Sequence, residues 1–341
     1  MTLILTRSVI RTLLADAVED VEHAVARAHR ELAVGQAKLP APPAMRLRDE
    51  EGTGEGNAGA DGAFLAMAAA SAPDRLATVK LLADLPANRA RGLPVQRSAV
   101  LAVDARTGAC AALLDGAELT RIRTAAATAV ATRALARPDA RTLGLLGTGP
   151  LARAHVRALL PGRPYEHVLI WGRTPANAQA LAGWVTSELG LPAKVFADPR
   201  SVTEHADVLC TLTPARDPFV HGPWLKPGQH INAVGAPPRP DHRELDTAAV
   251  LRCRIVVDAY ETARAKSGEV LIPLAEGALG EEDFRTELGS VLTGEVPGRT
   301  ADDELTLFNS VGVGLQDLAV ARLLIDRAGE RGLGLTVDLA G

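Results

Sequence analysis

Residues 143–152 read LGLLGTGPLA, an apolar run closing on Gly147, a second glycine at Gly149 and a small residue at Ala152 where an amphipathic stretch begins. Each small residue has a distinct physical task in a nucleotide site. Gly147 permits a tight turn, Gly149 lets the backbone approach a pyrophosphate, and Ala152 allows a helix to pack closely on a strand. The first turn of that helix then offers unpaired N–H groups and the positive end of a dipole to an anion. Small-residue turns join strands to helices in many folds, so the context decides. Here a strand precedes the loop, a helix follows, and a second apolar strand, HVLIWG, comes at 167–172. The predicted chemistry is dinucleotide binding.

The end of that second strand selects the cofactor. An NAD site places a carboxylate about twenty residues beyond the glycines, at the ribose 2′-hydroxyl. This chain has Gly172-Arg173-Thr174 there and no acid. A guanidinium and a hydroxyl suit a 2′-phosphate, which a carboxylate would repel. NADP(H) is therefore expected over NAD(H), the alternative being that Arg173 is a solvated loop residue.

Three cations are candidates for the substrate. Lys80 interrupts the apolar stretch LATVKLLADLP. It reads either as an edge-strand lysine reaching water along its stem or as a desolvated ammonium whose lowered pKa fits proton transfer. Arg123 lies in RIRTAAATA, at the expected start of a helix, where the dipole disfavours a cation and an anionic partner would explain it. Arg46, in AMRLRDE, is equally readable as a surface residue. His155 and His167 have no partner at ligand spacing, and Cys110, Cys210 and Cys253 are dispersed, so no metal site is expected. His242 is a weak proton-relay candidate expected to be exposed, and Trp171, Trp184 and Trp224 are expected in core or interface.

The elements that must position these residues fall into two patterns. The first 119 residues suggest a long helix from Ser8 as N-cap through Val9, Leu13, Val18, Val21 and Val25, a glycine-rich hairpin connection or mobile loop at 52–62, and strands around LATVKLL and on either side of a turn at Thr107-Gly108. From about Thr120, a helix of small residues leads into apolar strands alternating with helices, the pattern of a parallel, doubly wound sheet. A last helix, at 310–330, is expected to pack back on the first section. With 341 residues, two domains are the prior. A net charge of −4, dispersed, and only five lysines beside 32 arginines give no basic stripe for nucleic acid. Acidic residues at Asp16, Glu19 and Asp20 break the N-terminal apolar run, so no signal peptide is expected; no apolar run is long enough to span a bilayer, and a cytoplasmic location is expected by default.

Five stretches occur in order: VKLLADLPANRARGLP, DARTGACAALLDGAELTRIRTAAATAVATRALARP, LGLLGTGPLARAH, HINAVGAPPRPDHREL and KSGEV. Together they resemble the ornithine cyclodeaminase/mu-crystallin family, over nearly the whole chain from about Arg46. The resemblance implies an α/β fold: a Rossmann domain at 122–311 joined to a discontinuous α/β substrate-binding and dimerisation domain from 1–121 and 312–341, in a homodimer. It implies that Arg46, Lys80 and Arg123 grip a substrate carboxylate and that Thr124 touches the cofactor. The full set of expected cofactor contacts is Thr124, the loop Gly147, Thr148, Gly149, Pro150, Leu151 and Ala152, then Arg173, Thr174, Thr211, Leu212, Val234 and Ser310. Gly312 is expected near the nicotinamide with Ser310.

One departure from the family bears on the reaction. Cyclodeaminases and alanine dehydrogenases carry an aspartate two residues after the glycine of the AVG strand end, and here that position is Pro237. Ala68 and Val95 also depart from common family residues. Proline cannot exchange a proton with a substrate nitrogen. Asp241 is the nearby acid, readable as a substitute base or as a cap before HREL. Reduction of a preformed imine asks for less: carboxylate capture, hydride from the cofactor, and a proton from Lys80. The expected activity is NAD(P)H-dependent reduction of an α-imino (ketimine) carboxylate, first a small cyclic one, to an amino acid. Alternatives are an ornithine or lysine cyclodeaminase, an amino-acid synthase or dehydrogenase, and a non-catalytic crystallin-like NADPH-binding protein.

Overall fold

The computed structural model describes residues 1–47 and 62–339 of the chain. The loop expected at 52–62 lies outside these residues save for Gly62, and for Arg46 only the backbone is described. In chain order the first section holds β1 (Thr2–Leu5), α1 (Arg7–Leu13), α2 (Val18–Ala33), β2 (Ala37–Lys38), β3 (Ala44–Leu47), β4 (Gly62–Ser71), β5 (Leu76–Asp84), β6 (Gln96–Asp104) and β7 (Cys110–Asp115). Then come α3 (Gly116–Leu135), β8 (Thr142–Leu146), α4 (Pro150–Leu159), β9 (His167–Trp171), α5 (Pro175–Leu189), β10 (Ala193–Val195), α6 (Pro199–His205), β11 (Val208–Thr211) and β12 (His230–Ala233). The remainder is α7 (Thr247–Leu251), β13 (Arg254–Val257), α8 (Tyr260–Lys266), α9 (Gly268–Ala275), α10 (Leu288–Thr293), β14 (Thr306–Asn309), α11 (Gly314–Arg331) and β15 (Leu335–Val337). The chain divides into two compact units, one of Met1–Ala24, Val34–Arg123 and Val313–Gly341, the other of Val25–Ala33 and Thr124–Gly312.

The first unit is a mixed sheet ordered β15-β1-β7-β6-β5-β4-β2, with β3 also on β4. Strand alternation sets its two faces. On β5 the odd-one-out Lys80 shares the buried side with Leu76, Thr78, Leu82 and Asp84. α11 packs on β4 and β5, and its first residue must be small: a Cβ at Gly314 would stand 2.9 Å from the carbonyl oxygens of Met67 and Ala68. The opposite sheet side leaves Leu81, Leu101 and Leu113 exposed, Leu101 and Leu113 being direct cross-strand partners.

Two expectations for this section change. The N-terminal run is not one helix from Ser8: β1 comes first, Thr6 is the N-cap, and the helix breaks after Leu13 before α2 begins. Helical spacing continues across the break because Ile10, Leu13, Ala17, Val21 and Val25 are all buried. The strand β4 is rich in alanine, whose helix preference is overridden by its place between β5 and β3. The helix carrying Arg123 starts at Gly116, so Arg123 sits two turns in and the dipole reasoning does not apply to it. The turn at Thr107-Gly108 is present, with the Asp104 carboxylate accepting from the Thr107 N–H and hydroxyl and Gly108 at a φ of 77°.

The second unit holds an all-parallel sheet ordered β10-β9-β8-β11-β12-β14-β13, the reversal falling between β8 and β11. Its central strands β8, β11, β12 and β14 are buried on both sides, as a sheet flanked by helices requires. In such sheets ligands bind beyond the carboxyl ends of the strands at the reversal.

Candidate functional site

At the carboxyl end of β8, Gly147 adopts a φ of 127°. Its N–H donates to the Trp171 carbonyl (2.9 Å), tying the loop to the end of β9. Thr148 packs on Gly172, where a Cβ would meet the threonine methyl at 2.6 Å. Gly149 is the N-cap of α4 with no side-chain cap, and a Cβ built on it would meet nothing within 4 Å. Pro150 fills the first helical position, Leu151 is half-buried, and Ala152 is fully buried against the sheet. An uncapped helix start beneath an open glycine fits a phosphate group. Arg173 and Thr174 stand exposed where β9 ends, Thr174 being the N-cap of α5.

Later strand ends contribute the rest of this rim. Leu212 abuts Gly147, whose added Cβ would lie 2.7 Å from the Leu212 carbonyl oxygen. The Thr211 hydroxyl is already committed, donating to Glu244 Oε2 at 2.7 Å. Glu244 also accepts from the Thr213 N–H and hydroxyl and from the Gly235 N–H, so one buried carboxylate staples the loops after β11 and β12. Beneath it, burial and the neighbouring Glu244 charge push the Glu269 carboxyl up to about 8. Val234, Pro237, Glu269 and Ser310 line one cavity of about 10 Å³, room for a single water. Ser310 and Gly312 are tied to Asp258, the Gly312 N–H donating at 2.6 Å. Thr124 is buried in α3, its carbonyl accepting from the Thr128 hydroxyl, which also meets His155.

The cation cluster lies in the first unit. Lys80 is 1% exposed and sits on a central strand, with Met67 and Val100 as cross-strand neighbours, so the edge-strand reading is set aside. Its Nζ is 2.6 Å from Asp317 Oδ2 and 3.4 Å from the Thr120 hydroxyl. Arg123, also buried, donates from Nε to Asp317 Oδ1 (3.2 Å) and from Nη1 to Gln316 Oε1 (2.7 Å). Burial lowers the Lys80 ammonium to about 8, Asp317 opposing that shift and Arg123 adding to it. The structure thus brings Lys80 and Arg123 together on one carboxylate. Sequence reasoning missed Asp317 and Gln316; the signal was an acid on the apolar side of the last helix.

Asp241 is not the cap expected before HREL. It is exposed, accepts from or shares a proton with His242 Nδ1 at 2.9 Å, and pairs with Arg216 at 3.3 Å. The following helix is capped instead by Asp246, which accepts from the Ala249 N–H. His242 is half-buried rather than exposed. Trp171 packs on Phe219, Trp224 on His221, and Trp184 lies under Arg153 and Arg157. Among the described residues no three His, Cys, Asp or Glu side chains gather as metal ligands, and no helix is long and apolar enough to cross a membrane.

A two-unit α/β chain, one unit a parallel doubly wound sheet with a glycine loop opening a helix at the reversal of strand order, is of the dinucleotide-binding class. The chain belongs to the ornithine cyclodeaminase/mu-crystallin family, whose model matches residues 4–332. It is 37% identical over 261 residues to a Δ1-pyrroline-2-carboxylate reductase of Bacillus cereus, covering 76% of this chain and 80% of that protein. To the mouse ketimine reductase mu-crystallin it is 35% identical over 260 residues, 76% of this chain and 79% of that one. The structure of Thermococcus litoralis Δ1-pyrroline-2-carboxylate reductase in complex with NADH and L-proline superposes with a TM-score of 0.89 at 34% identity, covering 98% of this chain and 100% of that one.

Proposed function

We propose that this protein is an NAD(P)H-dependent reductase of α-imino carboxylates, acting first on a small cyclic ketimine and yielding the amino acid. The buried Lys80 beside Arg123, both on the Asp317 carboxylate, carries the reading. Arg123, with Arg46, holds the substrate carboxylate, and Lys80 gives a proton to the imine nitrogen. A nicotinamide cofactor, when bound, would supply the hydride for the imine carbon. Fixing both partners in line removes much of the entropic part of the barrier, up to roughly 7–11 kcal/mol. The relatives named as pyrroline-2-carboxylate and ketimine reductases support this chemistry. Cyclodeamination is disfavoured by Pro237 and by an Asp241 tied to His242 and Arg216.

Gly147–Ala152 would hold the pyrophosphate, with Thr124, Thr211, Leu212, Val234 and Ser310 around the remainder of the cofactor. Arg173 and Thr174, with no acid at the strand end, favour NADP(H). The exposed leucines at 81, 101 and 113 support a homodimer through that sheet side, and three unpaired cysteines agree with a reducing compartment such as the cytoplasm. The test is loss of 340 nm absorbance when NADPH or NADH is mixed with pyrroline-2-carboxylate, piperideine-2-carboxylate and acyclic imino acids. Ammonia release from ornithine with NAD⁺, and no imine reduction, would refute it.

A further inference from the structure

Lys80 is an unusual acid. It stands between strands β4 and β6 with Met67 and Val100 as lateral neighbours, and a second cation, Arg123, shares its surroundings. An apolar setting and a like charge both favour the neutral amine, and a neutral amine is a poor proton donor. One group opposes them. Asp317, in the first turn of α11, places Oδ2 2.6 Å from Lys80 Nζ and Oδ1 3.2 Å from Arg123 Nε. Its position is built in: the close approach of Gly314 to the β4 carbonyls lowers the helix start onto the sheet, and a carboxylate in the first helical turn is favoured by the dipole. Gln316 holds a further edge of the Arg123 guanidinium through Oε1 at 2.7 Å.

We propose that Asp317 is a positioning residue for the imine reduction: it holds Lys80 as the ammonium, aims its Nζ, and fixes the Arg123 guanidinium for the substrate carboxylate. This rests on the reading of Lys80 as the proton donor. In the step, an Nζ–H bond of Lys80 breaks and an N–H bond forms at the imine nitrogen. The carbon accepts hydride from the reduced nicotinamide as the C=N π pair moves to nitrogen. Lys80 is left neutral and regains its proton from water, while Asp317 remains a carboxylate throughout. The groups facing Lys80 among the described residues are Asp317 from α11, Thr120 and Arg123 from α3, and apolar side chains from β4 and β6.

The experiment is the pH profile of kcat/KM for imine reduction in wild type, Asp317→Asn, Asp317→Glu and Lys80→Met, each checked for folding by circular dichroism. Wild type should lose activity above about pH 8, where Lys80 gives up its proton. Asp317→Asn should move that basic limb down by a pH unit or more, so that activity falls about tenfold at pH 8 and recovers toward pH 6. Asp317→Glu keeps the charge and should keep the limb within half a unit, with kcat reduced. A purely structural role would lower activity by one factor at every pH and leave the limb of Asp317→Asn where it was; that result overturns the proposal. If Asp317→Asn does not fold, the glutamate variant decides, and a limb displaced despite the retained charge overturns it. Failure of the underlying reading looks different: wild type reduces no imine, or Lys80→Met stays within tenfold of it.

Discussion

Replacing the two loop glycines by alanine separates folding from phosphate binding. At Gly147 the backbone φ of 127° is a region that L-residues rarely adopt, and forcing alanine there costs on the order of 1–3 kcal/mol. The new Cβ would also lie 2.7 Å from the Leu212 carbonyl oxygen, 3.0 Å from its carbon and 3.1 Å from its Cβ. Leu212 has little freedom to retreat, since its N–H is bonded to Leu146 at 2.8 Å and Gly235 presses on it from the other side. Strain and overpacking together come to about 3–5 kcal/mol. For a unit of this size that is a fall in Tm of roughly 6–20 °C. At Gly149 the φ is −77° and nothing lies within 4 Å of an added Cβ, so Gly149→Ala should change stability by no more than about 1 kcal/mol. If a pyrophosphate approaches that backbone, however, the methyl occupies its place, and affinity for NADPH or NADH should fall at least about tenfold, or ~1.4 kcal/mol. Calorimetry and quenching or enhancement of dihydronicotinamide fluorescence read the two effects. Nucleotide affinity within twofold of wild type for Gly149→Ala would refute the assignment of this loop, and an unchanged Tm for Gly147→Ala would refute the strain reasoning.

Lys80→Met, close in volume and uncharged, should lower kcat by about 10²–10⁴ while cofactor affinity stays as it was, measured by steady-state oxidation of NADPH and by fluorescence titration. Arg173→Asp should reverse the preference between NADPH and NADH, shown by the ratio of kcat/KM for the two; an unaltered ratio would place the 2′ group elsewhere. His155 is buried against Thr128 and the Leu151 carbonyl, and burial lowers its pKa to about 4. Because the unfolded chain takes that proton first, stability should fall as pH drops from about 6.5 to 4, by on the order of 3 kcal/mol from this group. His155→Gln should remove about one proton from the pH slope of urea-unfolding free energy over that window. Leu101→Glu, on the exposed sheet side, should shift the protein toward monomer in sedimentation equilibrium without loss of secondary structure.

The sequence by itself determined the second unit closely, because parallel strands buried on both sides read as continuous apolar runs and the glycine loop is a local backbone requirement at Gly147, Gly149 and Ala152. It also marked Lys80, as a charge where the pattern calls for an apolar side chain. It could not determine what Lys80 and Arg123 touch. Asp317 lies 237 residues beyond Lys80 and 194 beyond Arg123, in a helix whose own pattern explains its apolar neighbours but not its acid. Nor did local preference reveal β4, since alanine-rich stretches become strands only when adjacent strands claim their backbone hydrogen bonds. The fate of Asp241 and the commitment of Thr211 to Glu244 were likewise tertiary decisions. Burial desolvates a charge only when the rest of the chain has closed around it, and from that moment its nearest opposite charge, wherever it lies in sequence, sets its chemistry.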